Sequence, residues 1–350
     1  MVDIKSLNYD ELCDFMVGLG EKKFRAGQLY QWIHQKLVQD LDECTNLSEN
    51  LRNRLKSECE FVTLSAVKVQ ESKIDGTKKY LFRLMDGNYV ESVLMRYHHG
   101  NSVCISSQVG CRMGCKFCAS TLNGCVRSLK PSEMIEQIYQ IQRLTGERVN
   151  NIVIMGSGEP MDNFDNFVKF IELINSEKGL NISQRNITVS SCGLVPKLRQ
   201  LADLKLQITL AISLHAPNDE LRKTMMPIAN KYSIEQIMDV CRYYYEKTGR
   251  RISFEYSLVK GVNDTDECQK QLSDLLKGMN CHVNLIPVNP IKERDYQQSE
   301  REAVLAFKNK LEKNGINVTI RREMGSDIDG ACGQLRNNYM EDVHDSDSED

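Results

Sequence analysis

The chain has 350 residues, 41% hydrophobic and 27% charged, which excludes disorder for most of its length and allows about two domains. Its 45 basic and 48 acidic residues leave a net charge of −3, so overall charge neither demands nor forbids a nucleic-acid partner. No stretch approaches the ~18 uncharged apolar residues of a membrane helix, and no basic segment followed by an apolar run opens the chain. Neither a membrane span nor a secretory signal is expected, and the cytoplasm is the expected compartment.

Asn8 and Glu11 have capping-box spacing, and Leu12, Phe15, Met16 and Leu19 follow at helical intervals, which predicts a first helix. Leu29, Trp32 and Ile33 stripe a second, and a third is expected through Leu51 and Leu55. Strand-like runs at 61–69 and 79–84 flank a turn at Asp75-Gly76. Residues 1–90 therefore read as a small helical accessory unit leading into a hairpin. From about Tyr89 strand and helix alternate. Strands are predicted at 102–107, 151–155, 186–190, 207–213, 251–258 and 282–287. Helices are predicted at 132–144, 164–174, 234–245 and 267–276, with Gly179 and Gly249 where C-terminal caps would fall. Six such units over 91–315 predict an α/β fold with a parallel sheet, either a partial or full (β/α) barrel or an open doubly wound sheet. In both, the reactive surface is the loops after the strands' C-terminal ends. A last strand at 316–320 and a glycine-rich loop form a C-terminal extension over 316–340. Six acids in the last ten residues make 341–350 read as a solvated, disordered tail.

Thirteen cysteines in such a chain are not expected to be a disulfide framework. Cys111, Cys115 and Cys118 stand in a C-x3-C-x2-C pattern on the loop after the first core strand. Structural zinc wants four closed ligands, and Cys125 is the nearest fourth, but no second C-x2-C pair exists. Three thiolates suit a 4Fe–4S cluster that leaves one iron without a protein ligand. Gly156-Ser157-Gly158-Glu159-Pro160 follows the second core strand, Ser190 ends the third, and Ser213-Leu214-His215 ends the fourth. At successive strand ends these describe a ring around one ligand. Cys332 sits in a loop with Gly330, Ala331 and Gly333, which lets its sulfur approach a ligand closely, and Cys104 lies on the first core strand. The other cysteines (13, 44, 59, 125, 192, 241, 268 and 281) are assigned to packing, Cys192 least firmly.

The C-x3-C-x2-C motif is the signature of radical S-adenosylmethionine (SAM) enzymes. The runs 104–111, 213–220, 248–255, 282–290 and 327–335 resemble the RlmN/Cfr family of radical-SAM RNA methyltransferases, over nearly the whole chain to Leu335. Ser157 and Gly330 stand where that family more often has Met and Ala, and the acidic tail is an addition. The resemblance implies a radical-SAM partial (β/α)6 barrel. It implies a 4Fe–4S cluster on Cys111, Cys115 and Cys118, and two SAM molecules per turnover. Gly158, Glu159, Ser190, Ser213, Leu214, His215 and Asn289 would hold SAM. The substrate would be adenine carbon 2 in 23S ribosomal RNA (adenosine 2503) and transfer RNA (adenosine 37). That carbon is electron-poor and cannot attack a sulfonium methyl, so radical chemistry is required. By the same resemblance Cys332 takes a methyl from SAM, a 5′-deoxyadenosyl radical activates it, and it joins adenine as a protein–RNA adduct. Glu91 then removes a proton, and Cys104 resolves the adduct by forming a transient disulfide with Cys332.

Two other readings stay open on sequence: a Cfr-type enzyme directed to carbon 8 of the same adenine, conferring antibiotic resistance, and a non-catalytic zinc-bearing RNA-binding protein. Expected partners are the two RNAs, an electron donor for the cluster and a thiol reductant for the disulfide; a monomer is the default. Arg112, Lys116, Arg127, Lys130, Arg250, Arg251, Arg321, Arg322 and Arg336 are candidates for phosphate contacts, though ordinary solvated charge is the simpler reading of each.

Overall fold

The computed structural model describes residues 1–289, 294–328 and 333–347, the last seven of these by backbone alone. Helices α1 (Tyr9–Gly18), α2 (Lys23–His34) and α3 (Glu49–Glu58) form an N-terminal unit. The capping box is present: the Asn8 side chain accepts the Glu11 N–H, and the Glu11 carboxylate accepts the Asn8 N–H. Leu12, Met16, Leu29, Ile33, Leu51 and Leu55 all point inward and build a core of their own.

This unit docks on α4 (Pro131–Thr145) through polar groups sealed from water. Lys5 Nζ lies 3.0 Å from Glu136 Oε2, both fully buried, and Arg143 also pairs with Glu136. His34 Nδ1 shares a 2.7 Å hydrogen bond with Tyr139 Oη. Burial pushes the His34 imidazole down to about 3 from its usual 6.5, so it is neutral in the fold. The unfolded chain binds that proton below pH 6.5, so stability is complete above about pH 7 and falls as the pH drops from 6.5 toward 3. The slope from this one residue is at most about 1.4 kcal/mol per pH unit. Unfolding midpoints measured from pH 8 to 4 should fall less steeply for His34→Asn.

Ten strands form one sheet: β1 (Ser65–Glu71), β2 (Lys78–Arg83), β3 (Tyr89–Tyr97), β4 (Gly100–Ile105), β5 (Val149–Ile154), β6 (Ile187–Ser191), β7 (Thr209–Ser213), β8 (Ile252–Leu258), β9 (Cys281–Pro287) and β10 (Asn317–Ile320). Strands β1 to β4 are antiparallel neighbours, and β4 to β10 run parallel. Spatial order equals chain order throughout. A doubly wound sheet reverses order at a switch point. Strands that add always on the same side, with right-handed crossovers, instead curl the sheet into a partial barrel. Helices α5 (Phe164–Asn175), α6 (Val195–Asp203), α7 (Asp219–Met225), α8 (Ile234–Thr248), α9 (Asp266–Leu276) and α10 (Arg301–Lys313) fill the connections, and α11 (Gln334–Asp347) closes the chain.

Four expectations are corrected. The hairpin β1–β2, grouped with the accessory unit by sequence, is hydrogen-bonded into the main sheet. Strand β3 had no strand prediction of its own because it is buried on both faces in its middle, which erases the alternation that marks a half-exposed strand. Gly249 caps α8 in the left-handed conformation, but α5 already leaves the helix at Ser176, so Gly179 has no capping role. The acidic tail is helical in its backbone as far as Asp347 rather than disordered from residue 341.

Candidate active site: a cysteine-lined cavity at the strand ends

A cavity of about 330 Å³ opens at the C-terminal ends of the parallel strands. Cys104, Cys111, Cys115, Cys118, Gly158, Glu159, Ser190, Ser213, His215 and Asn289 all line it. Residues from five strand ends and from the cysteine loop, scattered over nearly two hundred positions, thus face one space.

The loop is aimed by a two-strand ribbon, Gln108–Gly110 against Cys125–Ser128. Gly110 has φ +77°, and a Cβ there would lie 2.1 Å from the Gly124 carbonyl oxygen, so only glycine allows the ribbon to close. The Cys111 N–H then donates to that carbonyl at 2.8 Å. Thr121 Oγ1 donates to the carbonyls of Cys115 and Cys118, and Lys116 N–H to that of Met225. Burial pushes the Cys111 thiol up to about 12, helped by the nearby Cys118 and Glu159, and Cys115 is raised by the same causes. Left alone these sulfurs stay protonated; a cationic metal centre is what would make them thiolates. Among the described residues no three ligands converge as a ready single-ion cage. A 4Fe–4S cluster needs its sulfurs spread around a larger body, and three soft donors on one wall of a cavity fit it.

Gly158 has φ +107° and turns the chain so that Glu159 enters the wall. The Glu159 carboxylate accepts the Cys192 N–H at 2.7 Å and the Met161 N–H at 3.0 Å; burial raises its pKa and these bonds oppose the rise. Ser190 Oγ and Ser213 Oγ are 3.2 Å apart. His215, in the left-handed region at φ +57°, accepts the Ser257 N–H on Nδ1 at 2.9 Å. Burial holds its imidazole down to about 3, so it is neutral with its hydrogen assigned to Nε2, free to donate. Leu214 does not line the cavity; it is buried behind the wall, its N–H on the Glu255 carbonyl. Asn289 is exposed at the rim.

Cys104 sits on β4 opposite Val93. Glu91, on the same face of β3 as Val93, is buried outside the cavity lining. Its Oε2 lies 3.1 Å from Lys79 Nζ and accepts the Gly333 N–H at 2.7 Å, while Oε1 accepts the Arg336 N–H at 2.6 Å. Cys332 lies outside the described residues. Gly333, which follows it, packs on Ser120, two residues beyond Cys118.

Sequence reasoning missed Arg222 and Glu255. Glu255 lines the cavity from β8, held by Asn284 Nδ2 at 2.9 Å, its pKa raised by burial. Arg222, fully buried on α7, donates to the carbonyls of Leu214, Cys192 and Ser213 and so ties two strand-end loops together. Arg222→Leu should cost about 3 kcal/mol or more in denaturant unfolding, since two buried carbonyls and a half-buried one lose their donor. Of the candidate phosphate binders, Arg112, Arg127 and Lys130 are ion-paired with Asp162, Asp86 with Glu133, and Glu60. Arg321 and Arg322 line the cavity and remain exposed.

The family model described as the Radical SAM superfamily matches residues 105–269, and that of the ribosomal RNA large subunit methyltransferase N-terminal domain matches residues 2–61. A curated protein of Lachnospira eligens, named probable dual-specificity RNA methyltransferase RlmN, is 80% identical over 99% of both chains. One of the same name from Lachnoclostridium phytofermentans is 66% identical over 97% of this chain and 96% of its own. The chain belongs to the RlmN family of radical-SAM RNA methyltransferases. A crystal structure of a radical SAM methyltransferase from Sphaerobacter thermophilus, 39% identical, superposes with a TM-score of 0.91 over 95% of this chain and 99% of that one. RlmN membership brings with it a 4Fe–4S cluster, SAM and an RNA substrate, and it removes the zinc-protein reading. Among the described residues no helix is long and apolar enough to cross a membrane.

Proposed function

We propose that this enzyme methylates carbon 2 of adenosine in 23S ribosomal RNA (adenosine 2503) and in transfer RNA (adenosine 37). The observation that carries the reading is the single cavity onto which the three loop cysteines, the Gly158–Glu159 turn, the strand-end hydroxyls and Cys104 all face. Cys111, Cys115 and Cys118 hold the cluster. Glu159 takes the methionine amino group of SAM, the Ser190–Ser213 pair and neutral His215 bind its polar atoms, Gly158 shapes the wall through its backbone, Leu214 supports that wall from behind, and Asn289 closes the rim. When bound, the cluster and SAM supply a carbon-centred radical.

The chain's own part is to carry the methyl group and let it go. Cys332 accepts a methyl on sulfur from one SAM and carries it to the adenine carbon, a second SAM being consumed per turnover. Glu91 accepts the carbon 2 proton. Its support is its bond to the N–H next to Cys332, with the Lys79 ammonium balancing its charge. With the adduct's odd electron returned to the cluster, Cys104 as thiolate would attack the Cys332 sulfur: a sulfur–sulfur bond forms, the carbon–sulfur bond breaks, and the methylene carbon leaves with the electron pair and takes up a proton to become the product's methyl group. An external thiol returns two electrons to the disulfide, as a reducing cytoplasm requires. The target base must be turned out of its stack to enter, with Arg321 and Arg322 at the mouth to meet phosphate.

The test is anaerobic reconstitution with iron and sulfide, followed by incubation with SAM, a reductant and unmodified 23S RNA, in a monomeric preparation. Mass spectrometry of the digested RNA should find 2-methyladenosine, with 5′-deoxyadenosine released. 8-Methyladenosine would move the enzyme to the resistance branch, and neither product on a fully loaded enzyme would refute the substrate.

A further inference from the structure

Gln108 lies three residues before the first loop cysteine and is fully buried, yet none of the roles above uses it. Its contacts run to the Gly158–Glu159 turn, to Asp162 just beyond it, and across the ribbon. Its side-chain oxygen accepts the Glu159 N–H at 2.9 Å. Its side-chain nitrogen donates to Asp162 Oδ2 at 2.9 Å and to Ser128 Oγ at 3.2 Å. The amide orientation follows from the partners, because a backbone N–H needs an acceptor and a carboxylate needs a donor. Its backbone N–H, with that of Ser107, donates to the Ser157 carbonyl at 3.1 and 2.9 Å. Gly158 packs so closely that a Cβ there would lie 2.6 Å from the Gln108 Cβ. Asp162 in turn receives Arg112 Nε at 2.8 Å, from within the cysteine loop itself.

One buried amide therefore joins three pieces: the ribbon that aims the cysteine loop, the turn that carries Glu159, and the Asp162 carboxylate that pairs with the loop's arginine. The ribbon is about fifty residues in the chain from the turn and Asp162. Other ties between these segments include the Ser120–Ser157 hydroxyl pair and the Asn163 amide on the Ser107 and Leu129 carbonyls, but among those named only Gln108 reaches the Glu159 N–H and Asp162 together. We propose that Gln108 is a positioning residue that fixes the Glu159 turn to the cysteine loop and so sets how SAM presents itself to the cluster. The inference rests on the reading that this turn grips SAM and that the loop holds the cluster.

The variants are Gln108→Leu, which removes all three side-chain contacts at similar size, and Gln108→Glu, which keeps the acceptor for Glu159 but sets a carboxyl against Asp162. Glu159→Ala serves as the control on the underlying reading. Each reconstituted enzyme is assayed anaerobically for iron and sulfide content, for equilibrium SAM binding, and for the change in the reduced cluster's electron paramagnetic resonance spectrum on adding SAM. Gln108→Leu should keep the wild-type iron and sulfide content, bind SAM about tenfold more weakly or worse, and show a diminished spectral change. Gln108→Glu should fall between it and wild type. This variant decides the matter should the leucine protein not fold. Wild-type SAM binding and spectra in the variants, with Glu159→Ala impaired, would overturn the role of Gln108 alone. Wild-type behaviour of Glu159→Ala would overturn the reading of the turn itself.

Discussion

Cys332→Ala is expected to abolish methyl transfer to protein and RNA alike, whereas Cys104→Ala should accumulate a covalent RNA–protein adduct. The two outcomes differ because the proposed reaction uses the two sulfurs at opposite ends of its course. Without Cys332 no sulfur accepts the methyl group, so the reaction never starts. Without Cys104 the adduct forms, but no thiolate is placed to attack its sulfur. The fold supports this division. Cys104 lines the cavity on β4, paired with Val93 of β3, and Glu91, two residues from Val93 on the same face, anchors the N–H of Gly333 immediately after Cys332. Strand register therefore brings Gly333 to the strand pair that carries Cys104. Denaturing gels of reactions with labelled RNA read the adduct directly, and a Cys104→Ala enzyme that turns over freely would sink the mechanism.

The second large effect concerns which cysteines hold the cluster. Cys115→Ala should yield a colourless protein with little iron and no 5′-deoxyadenosine, because a three-ligand site has no spare sulfur. Cys125→Ala should keep wild-type iron and colour. Cys125 lies half-buried on the ribbon beside Arg112 and not among the cavity-lining residues, whereas Cys111, Cys115 and Cys118 share the cavity wall. Iron and sulfide analysis with the visible spectrum after anaerobic reconstitution distinguishes the two sets. Loss of the cluster in Cys125→Ala would show the ligand set to be wrong.

Much of this is legible in the sequence. The capping box at Asn8 and Glu11, the glycine cap at Gly249 and the C-x3-C-x2-C spacing are local, and local patterns survive in sequence because the interacting residues are three to eight positions apart. The alternation of strand and helix was equally plain, and it placed Glu159, Ser190, Ser213 and His215 at strand ends where they are found. Family resemblance supplied the roles of Cys104, Cys332 and Glu91, which spacing alone would have left as a buried thiol, a loop thiol and a strand carboxylate.

Tertiary structure decided the rest. Whether the sheet curls into a partial barrel or winds doubly depends on the order in which strands pair, which no local pattern encodes. Glu91 and Lys79 look like unrelated strand-face charges until β2 and β3 pair with Leu81 opposite Glu91, which puts both on one buried face. Arg222 reads as a charge on a helix flank, yet burial forces its donors onto the carbonyls of loops that begin at Cys192 and Ser213. Gln108 is an unremarkable amide until folding brings the Glu159 turn within 2.9 Å. The sequence by itself determined the cysteine motif and the strand-end groups, because reactive groups and their spacing are written residue by residue. Only the tertiary structure decided what holds those groups in place, because a buried polar side chain must find its partners wherever the fold brings them.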